Sequence, residues 1–202
     1  MSIATDAELK AFLDVLNPED NSTGGGTASA VAGAMAAGLA GMVARVSLGK
    51  EGLRSDHFYE GIDSRARGLT GELLSGGEED SQAFGHVMRA YRMPKETDGD
   101  KKLRSAAIQT GLAGATVVPL QNGERCADVV ELIESLAPSH NSNATSDLEV
   151  GRRLAAAGLA GCIDNVEINL GSIKDNAIRA GFEKRLQALK STSEKSEGES
   201  DV

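Results

Sequence analysis

The stretch NSTGGGTASAVAGAMAAGLAGMVARVSLGKEG, residues 21–52, decides how this chain is read. Gly24, Gly25 and Gly26 precede a long run of small side chains that carries no charge before Arg45. A Walker-type phosphate loop needs GxxxxGK[ST], with the lysine at the helix start; here Thr27 follows the glycines directly and the next lysine is Lys50. A dinucleotide fingerprint needs GxGxxG after a strand, but Ser29 stands at the third glycine position and no strand pattern precedes it. A membrane span asks for roughly 20 predominantly apolar residues, and Ala and Gly are only weakly hydrophobic. What the run does offer is a smooth helix surface. Ala30, Ala34 and Gly38 form one row, Gly33, Ala37 and Gly41 the next, and a similar surface recurs at Ala155, Ala156, Ala157, Gly158, Ala160 and Gly161. Two such helices are expected to cross in a crowded centre.

The three glycines need their own explanation. Glycine is unfavourable in a helix unless the backbone must adopt unusual angles or approach something closely. Free N–H groups at the start of the following helix would face that neighbour and favour an anion or a carbonyl oxygen.

Outward from this stretch, almost every segment reads as helix. Thr5-Asp6-Ala7-Glu8 has the form of a capping box ahead of Leu9, Phe12, Leu13 and Leu16, whose spacing of three and four marks an apolar face. Further helices are expected over 27–47, 56–74, 78–91, 97–117 and 119–136, with Pro119 either kinking a helix or starting one. Ser146-Asp147-Leu148-Glu149 reads as a second capping box, opening a helix to Leu170, and a last helix is expected over 171–190. No alternating strand pattern competes. The expected fold is therefore an all-α helical bundle of about seven to eight helices in a single domain, residues 1–190. The polar, low-complexity tail 191–202 is expected to be disordered.

Composition narrows the partners. The 202 residues carry 21 Lys+Arg against 30 Asp+Glu, a net charge of −9, which is the wrong sign for a general binder of nucleic acid or anionic membrane. Aromatic residues make up 3% and Trp is absent, leaving little for base stacking. Cys126 and Cys162 stand apart without a CxxC, and His57, His86 and His140 lack metal-ligand spacing, so buried thiols and no bound metal are expected. The first residues lack the pattern of a secretory signal, and a cytoplasmic location is expected.

Several elements together resemble one family. Gly24-Gly25-Gly26-Thr27-Ala28-Ser29-Ala30, Met42-Val43-Ala44-Arg45 and Leu48-Gly49-Lys50 are followed in order by Asp80-Ser81-Gln82-Ala83-Phe84 and Ala90-Tyr91-Arg92-Met93-Pro94-Lys95. Val118-Pro119, Ser146-Asp147 and Asn165-Val166-Glu167-Ile168-Asn169-Leu170 complete the set. The chain is similar, over about residues 8–180, to the formimidoyltetrahydrofolate cyclodeaminase and methenyltetrahydrofolate cyclohydrolase family. The resemblance implies an all-helical fold, a homodimer, and a pocket for a tetrahydrofolate derivative as substrate, with no metal and no nicotinamide cofactor. Asn21-Ser22-Thr23 departs from the prolines usual before the glycines, and Ser142-Asn143-Ala144-Thr145 from the usual Gly-Asn segment.

Opening a methenyl bridge requires water activated at a cationic amidine carbon and a proton for the departing nitrogen; losing ammonia from a formimino group requires ring closure and a protonated amine. As carboxylates at family positions, Asp80 and Asp147 are the catalytic candidates, each also readable as an acid in a first helical turn. Asn165 and Asn169 lie one turn apart on a face shared with Cys162 and Val166, suited either to pterin amide edges or to structural hydrogen bonds. Arg45, Lys50 and Lys95 are candidates for the glutamate tail, and Gly24, Gly25 and Gly26 for substrate contact. The expected activity is methenyltetrahydrofolate cyclohydrolase, since no transferase is fused to the chain. Formimidoyltetrahydrofolate cyclodeaminase is the alternative, and a non-catalytic folate- or protein-binding module the reading from another class.

Overall fold

The computed structural model describes residues 6–17, 19 and 23–198. Six α-helices follow one another among them: α1 (Asp6–Val15), α2 (Gly25–Ser47), α3 (Asp56–Tyr91), α4 (Asp98–Leu136), α5 (Thr145–Leu170) and α6 (Asn176–Gly198). A 3-10 turn, Ser142–Ala144, precedes α5. No strand occurs among the described residues. Helices α2 to α5 form an up-and-down bundle in which α2 packs on α3, α5 and α4; α1 lies against α3, and α6 against α4 and α5.

The helices are fewer and longer than expected, for two physical reasons. Gly76-Gly77 reads as a break in sequence, yet α3 runs through it. Buried Asn122 donates from Nδ2 to the Gly76 carbonyl at 3.0 Å, and a Cβ on residue 76 would sit 1.9 Å from Asn122 Oδ1. The glycines admit a neighbour there, and tertiary packing outweighs their helix cost of roughly 0.5–1 kcal/mol each. Pro119 likewise neither ends nor starts a helix: it lies buried inside α4.

Other boundaries shift as well. Gly25 and Gly26 form the first turn of α2, with Gly24 as its N-cap, instead of a loop before residue 27. The box expected at Ser146 does not form: Ala144 is the N-cap of α5 and makes no side-chain cap bond. A capping box does form at Thr97–Asp100, opening α4. The box expected at Thr5 lies outside the described residues. Helix α6 continues to Gly198, well into the tail expected to be disordered.

The small-residue surfaces meet as the sequence suggested. A Cβ on Gly158 would lie 2.8 Å from the Ser29 carbonyl oxygen and 3.1 Å from Gly33 N, and one on Gly33 would lie 2.6 Å from Cys126 Sγ. Backbone thus touches backbone where α2 crosses α5. By length and composition α2 could cross a membrane, but most of its apolar side chains are buried against the other helices. Larger residues, Tyr59, Leu69, Leu73, Leu120, Ile133 and Leu159, fill the remaining core.

Candidate active site

The start of α2 is surrounded by α3, α4 and α5, and a cavity of about 260 Å³ opens at that point. Gly24, Gly25 and Gly26 form one wall, Asp80 and Phe84 another, and Asn165, Ile168 and Asn169 a third. Gly24 leaves the first turn of α2 without a side-chain cap, so early N–H groups of the helix are available to a ligand.

Asp80 lies against this helix start because residue 26 has no side chain. A Cβ there would stand 2.5 Å from Asp80 Oδ2 and 2.6 Å from Oδ1. The carboxyl accepts from the hydroxyl of buried Thr27 at 3.2 Å. Burial pushes the Asp80 carboxyl above the ordinary range, because the charged form loses water; the Thr27 hydroxyl and backbone N–H oppose that shift by stabilising the anion. The result is a carboxyl group suited to proton transfer.

The two asparagines project from α5 into the same cavity. Asn165 donates from Nδ2 to the Gly161 carbonyl, and Asn169 from Nδ2 to the Ala115 carbonyl, both at 2.7 Å. Residue 119 is a proline, so Ala115 receives no N–H from the position four residues ahead. Asn169 supplies the missing donor. With both amide nitrogens engaged by the protein, the carbonyl ends are left for a ligand's donors, while the α2 N–H groups serve its acceptors.

The other sequence candidates lie elsewhere in the chain. Asp147 is in the first turn of α5, about 27 Å along the helix from Asn165 at 1.5 Å per residue. Arg45 stands at the far end of α2, about 30 Å from Gly25 on the same scale. Arg45 pairs with Asp63, and exposed Lys50 follows in the turn after α2. Asp147, Arg45 and Lys50 therefore do not share the Asp80 cavity within one chain. Lys95 is exposed beyond the end of α3, on the cavity's side of the bundle but outside its lining. His86 lines a separate groove with Arg89 and Met93. Among the described residues no group of three His, Cys, Asp or Glu side chains is placed to hold a metal ion. Cys126 and Cys162 are both buried and unpaired by disulfide.

Residues singled out by their motif but not as ligands complete the wall. Phe84 and Ile168 are 43% and 76% exposed at the cavity rim, a large apolar surface for a ring system to cover. Phe84 and Val87 follow Asp80 at helical spacing, a signal present in the sequence. Thr23 also lines the cavity, and its Oγ1 is buried without a hydrogen-bond partner. Nothing in the sequence marks Thr23, because its burial depends on the chain's path.

Residues 8–188 match the sequence model of a family described as formiminotransferase-cyclodeaminase. A methenyltetrahydrofolate cyclohydrolase of Methylorubrum extorquens is 36% identical over 188 residues, covering 93% of this chain and 89% of that protein. The formimidoyltransferase-cyclodeaminases of Sus scrofa and Rattus norvegicus are 31% and 30% identical over 90% and 91% of this chain. The chain spans only 34% of the length of each of these two. The crystal structure of formiminotetrahydrofolate cyclodeaminase from Thermotoga maritima matches with a TM-score of 0.80 at 29% identity, over 93% of this chain and 90% of that one.

Proposed function

The chain belongs to the formiminotransferase-cyclodeaminase family, and on that premise we propose that it is an enzyme of folate one-carbon metabolism, hydrolysing 5,10-methenyltetrahydrofolate to 10-formyltetrahydrofolate. The observation that carries the reading is the cavity in which Asp80 faces the start of α2 beside Asn165 and Asn169. The 36% identity to a methenyltetrahydrofolate cyclohydrolase, matched over most of both chains, favours this activity.

In this reading the pterin packs on Phe84 and Ile168. Its donors meet the Asn165 and Asn169 carbonyls, and its acceptors meet the N–H groups of α2. The methenyl carbon lies beside Asp80, whose carboxylate offsets the amidinium charge. As water adds to that carbon, Asp80 accepts one of its two protons; as the C–N bond breaks, that proton passes to the departing nitrogen. The remaining hydroxyl proton is lost to solvent as the formyl carbonyl forms, which also discharges the cation. General acid–base assistance of this kind contributes about 10²–10⁴ in rate. Water is the only co-reactant, and the folate is substrate.

Formimidoyltetrahydrofolate cyclodeaminase is the second reading, favoured by the structural match to a cyclodeaminase. The same carboxyl would then protonate the departing ammonia as the ring closes. Following the methenyl chromophore by absorbance separates the two activities. Accelerated loss from methenyltetrahydrofolate establishes the hydrolase, and accelerated appearance from formiminotetrahydrofolate the deaminase. Folded protein that accelerates neither overturns both.

The homodimer belongs to the same proposal. The outer face of α2 is charge-free from Gly25 to Ala44, with Met35 46% exposed and open space around Gly38. Two α2 helices crossing antiparallel near Gly38 would set the partner's Lys50 and Arg45 beside Gly25, which would bring basic groups to the folate's glutamate tail. Gly38→Arg should give a monomer in sedimentation and raise KM; a variant that stays dimeric with unchanged KM overturns this arrangement.

A further inference from the structure

Thr27 is fully buried in the first turn of α2. Its Oγ1 lies 3.1 Å from the Gly77 carbonyl oxygen and 3.2 Å from Asp80 Oδ2. A hydroxyl has one hydrogen to donate, so it serves one of these acceptors at a time. The side chain is clamped in that choice: a Cβ on Gly77 would sit 3.4 Å from Thr27 Cγ2, so the glycine lets α2 and α3 approach until the hydroxyl reaches both oxygens.

We infer that Thr27 is the positioning residue for Asp80, its hydroxyl hydrogen turning to Oδ2 when the carboxyl is ionised and to the Gly77 carbonyl when it is protonated. Rotation of one hydrogen then answers the change of charge, and the carboxyl group keeps its place against Gly26 in both states. No covalent bond other than the transferred O–H changes. The ionisable groups around the pair are few. Helix α2 has none between Gly25 and Ala44. Helix α4 offers the buried thiol of Cys126 and the Arg125 guanidinium, which lies against Gly76, donates to Asn122 Oδ1 and faces Glu72 of α3. Helix α5 offers the buried thiol of Cys162, and α3 further carries Glu78, bonded to Gln82, and exposed Glu79. The Thr27 hydroxyl is thus the main side-chain donor that sets the proton balance of Asp80.

The role in turnover rests on the function proposed above, but the relationship itself is measurable without turnover. The Asp80 carboxyl is titrated by NMR in the free protein with ¹³C-labelled aspartate, assigned with Asp80→Asn, and kcat/KM is followed against pH. Thr27→Val should move the Asp80 midpoint upward by roughly 1 pH unit, the corresponding limb of the rate profile should follow it, and Thr27→Ser should restore both. Thr27→Ala replaces Thr27→Val if circular dichroism shows that the latter does not fold. An unmoved midpoint in the hydroxyl-free variant, or a Thr27→Ser midpoint displaced equally far, overturns the assignment. A wild-type protein inactive on both folates would sink the proposed function while the NMR midpoints still decide the role of Thr27.

Discussion

Asn169 supplies to Ala115 the hydrogen bond that Pro119 cannot. The proline has no N–H for the carbonyl four residues behind it, and Asn169 Nδ2 reaches that carbonyl at 2.7 Å from the neighbouring helix. A helix defect in α4 thereby orients a cavity side chain on α5, with its carbonyl end left toward the ligand.

This pairing predicts non-additive energetics. Asn169→Ala leaves a half-buried carbonyl short of a donor and should cost about 1–3 kcal/mol in urea unfolding. Pro119→Ala restores the helical N–H, so Asn169→Ala in that background should cost measurably less. Equal costs in the two backgrounds would show that Asn169 does not stand in for the donor that Pro119 lacks.

Gly26→Ala puts a methyl group 2.5 Å from Asp80 Oδ2, and the carboxyl must move. Alanine suits a helix better than glycine, so the loss should appear in turnover more than in stability. A displacement near 1 Å predicts about a 100-fold fall in kcat, measured beside the thermal midpoint. Unchanged kcat would remove Asp80 from the chemistry.

Asp80→Asn should lower kcat by about 10²–10⁴ while leaving the protein folded. Its effect on stability has a definite sign. Burial raises the folded-state pKa of Asp80, so the folded protein holds the proton more tightly than the unfolded chain does. Stability is therefore lost as pH rises from the unfolded value of about 3.9 through the higher folded value. Asparagine carries no such penalty: Asp80→Asn should be the more stable protein near pH 7, with the difference shrinking by pH 4. Thermal melts at both pH values check the sign.

Gly158→Ala tests the crossing of α2 and α5. Its Cβ would meet the Ser29 carbonyl at 2.8 Å and Gly33 N at 3.1 Å, backbone atoms that cannot rotate aside. Overpacking of this kind costs about 1–3 kcal/mol. Gly61→Ala, exposed in α3 with open space around it, should be neutral or slightly stabilising, and chemical denaturation of the two variants gives the comparison.

Cys126 and Cys162 should be inert to a thiol reagent in the native protein and react on unfolding. Both are buried, and the Cys126 hydrogen bond and burial hold the Cys162 thiol well above its ordinary range. Rapid native labelling would show that the interface between α4 and α5 opens.

The sequence by itself determined the helical class, the central role of α2, the α2–α5 crossing and the family. Each follows from local information: spacing of apolar residues, the size of Ala and Gly, or an ordered set of motifs. Asp80, Asn165, Asn169 and the three glycines were legible on the same ground, and the structure gathers them in one cavity. Tertiary structure alone decided what happens at Gly76-Gly77 and Pro119, because helix breakers are judged locally while Asn122 and Asn169 reach them from other helices. It also separated Asp147, Arg45 and Lys50 from Asp80, since motifs give order along the chain and not which end of a long helix faces the site. Thr23 and Thr27 carry no signal as isolated threonines. Their meaning comes from burial beside Asp80 and the glycine cradle, and burial is a property of the packed chain.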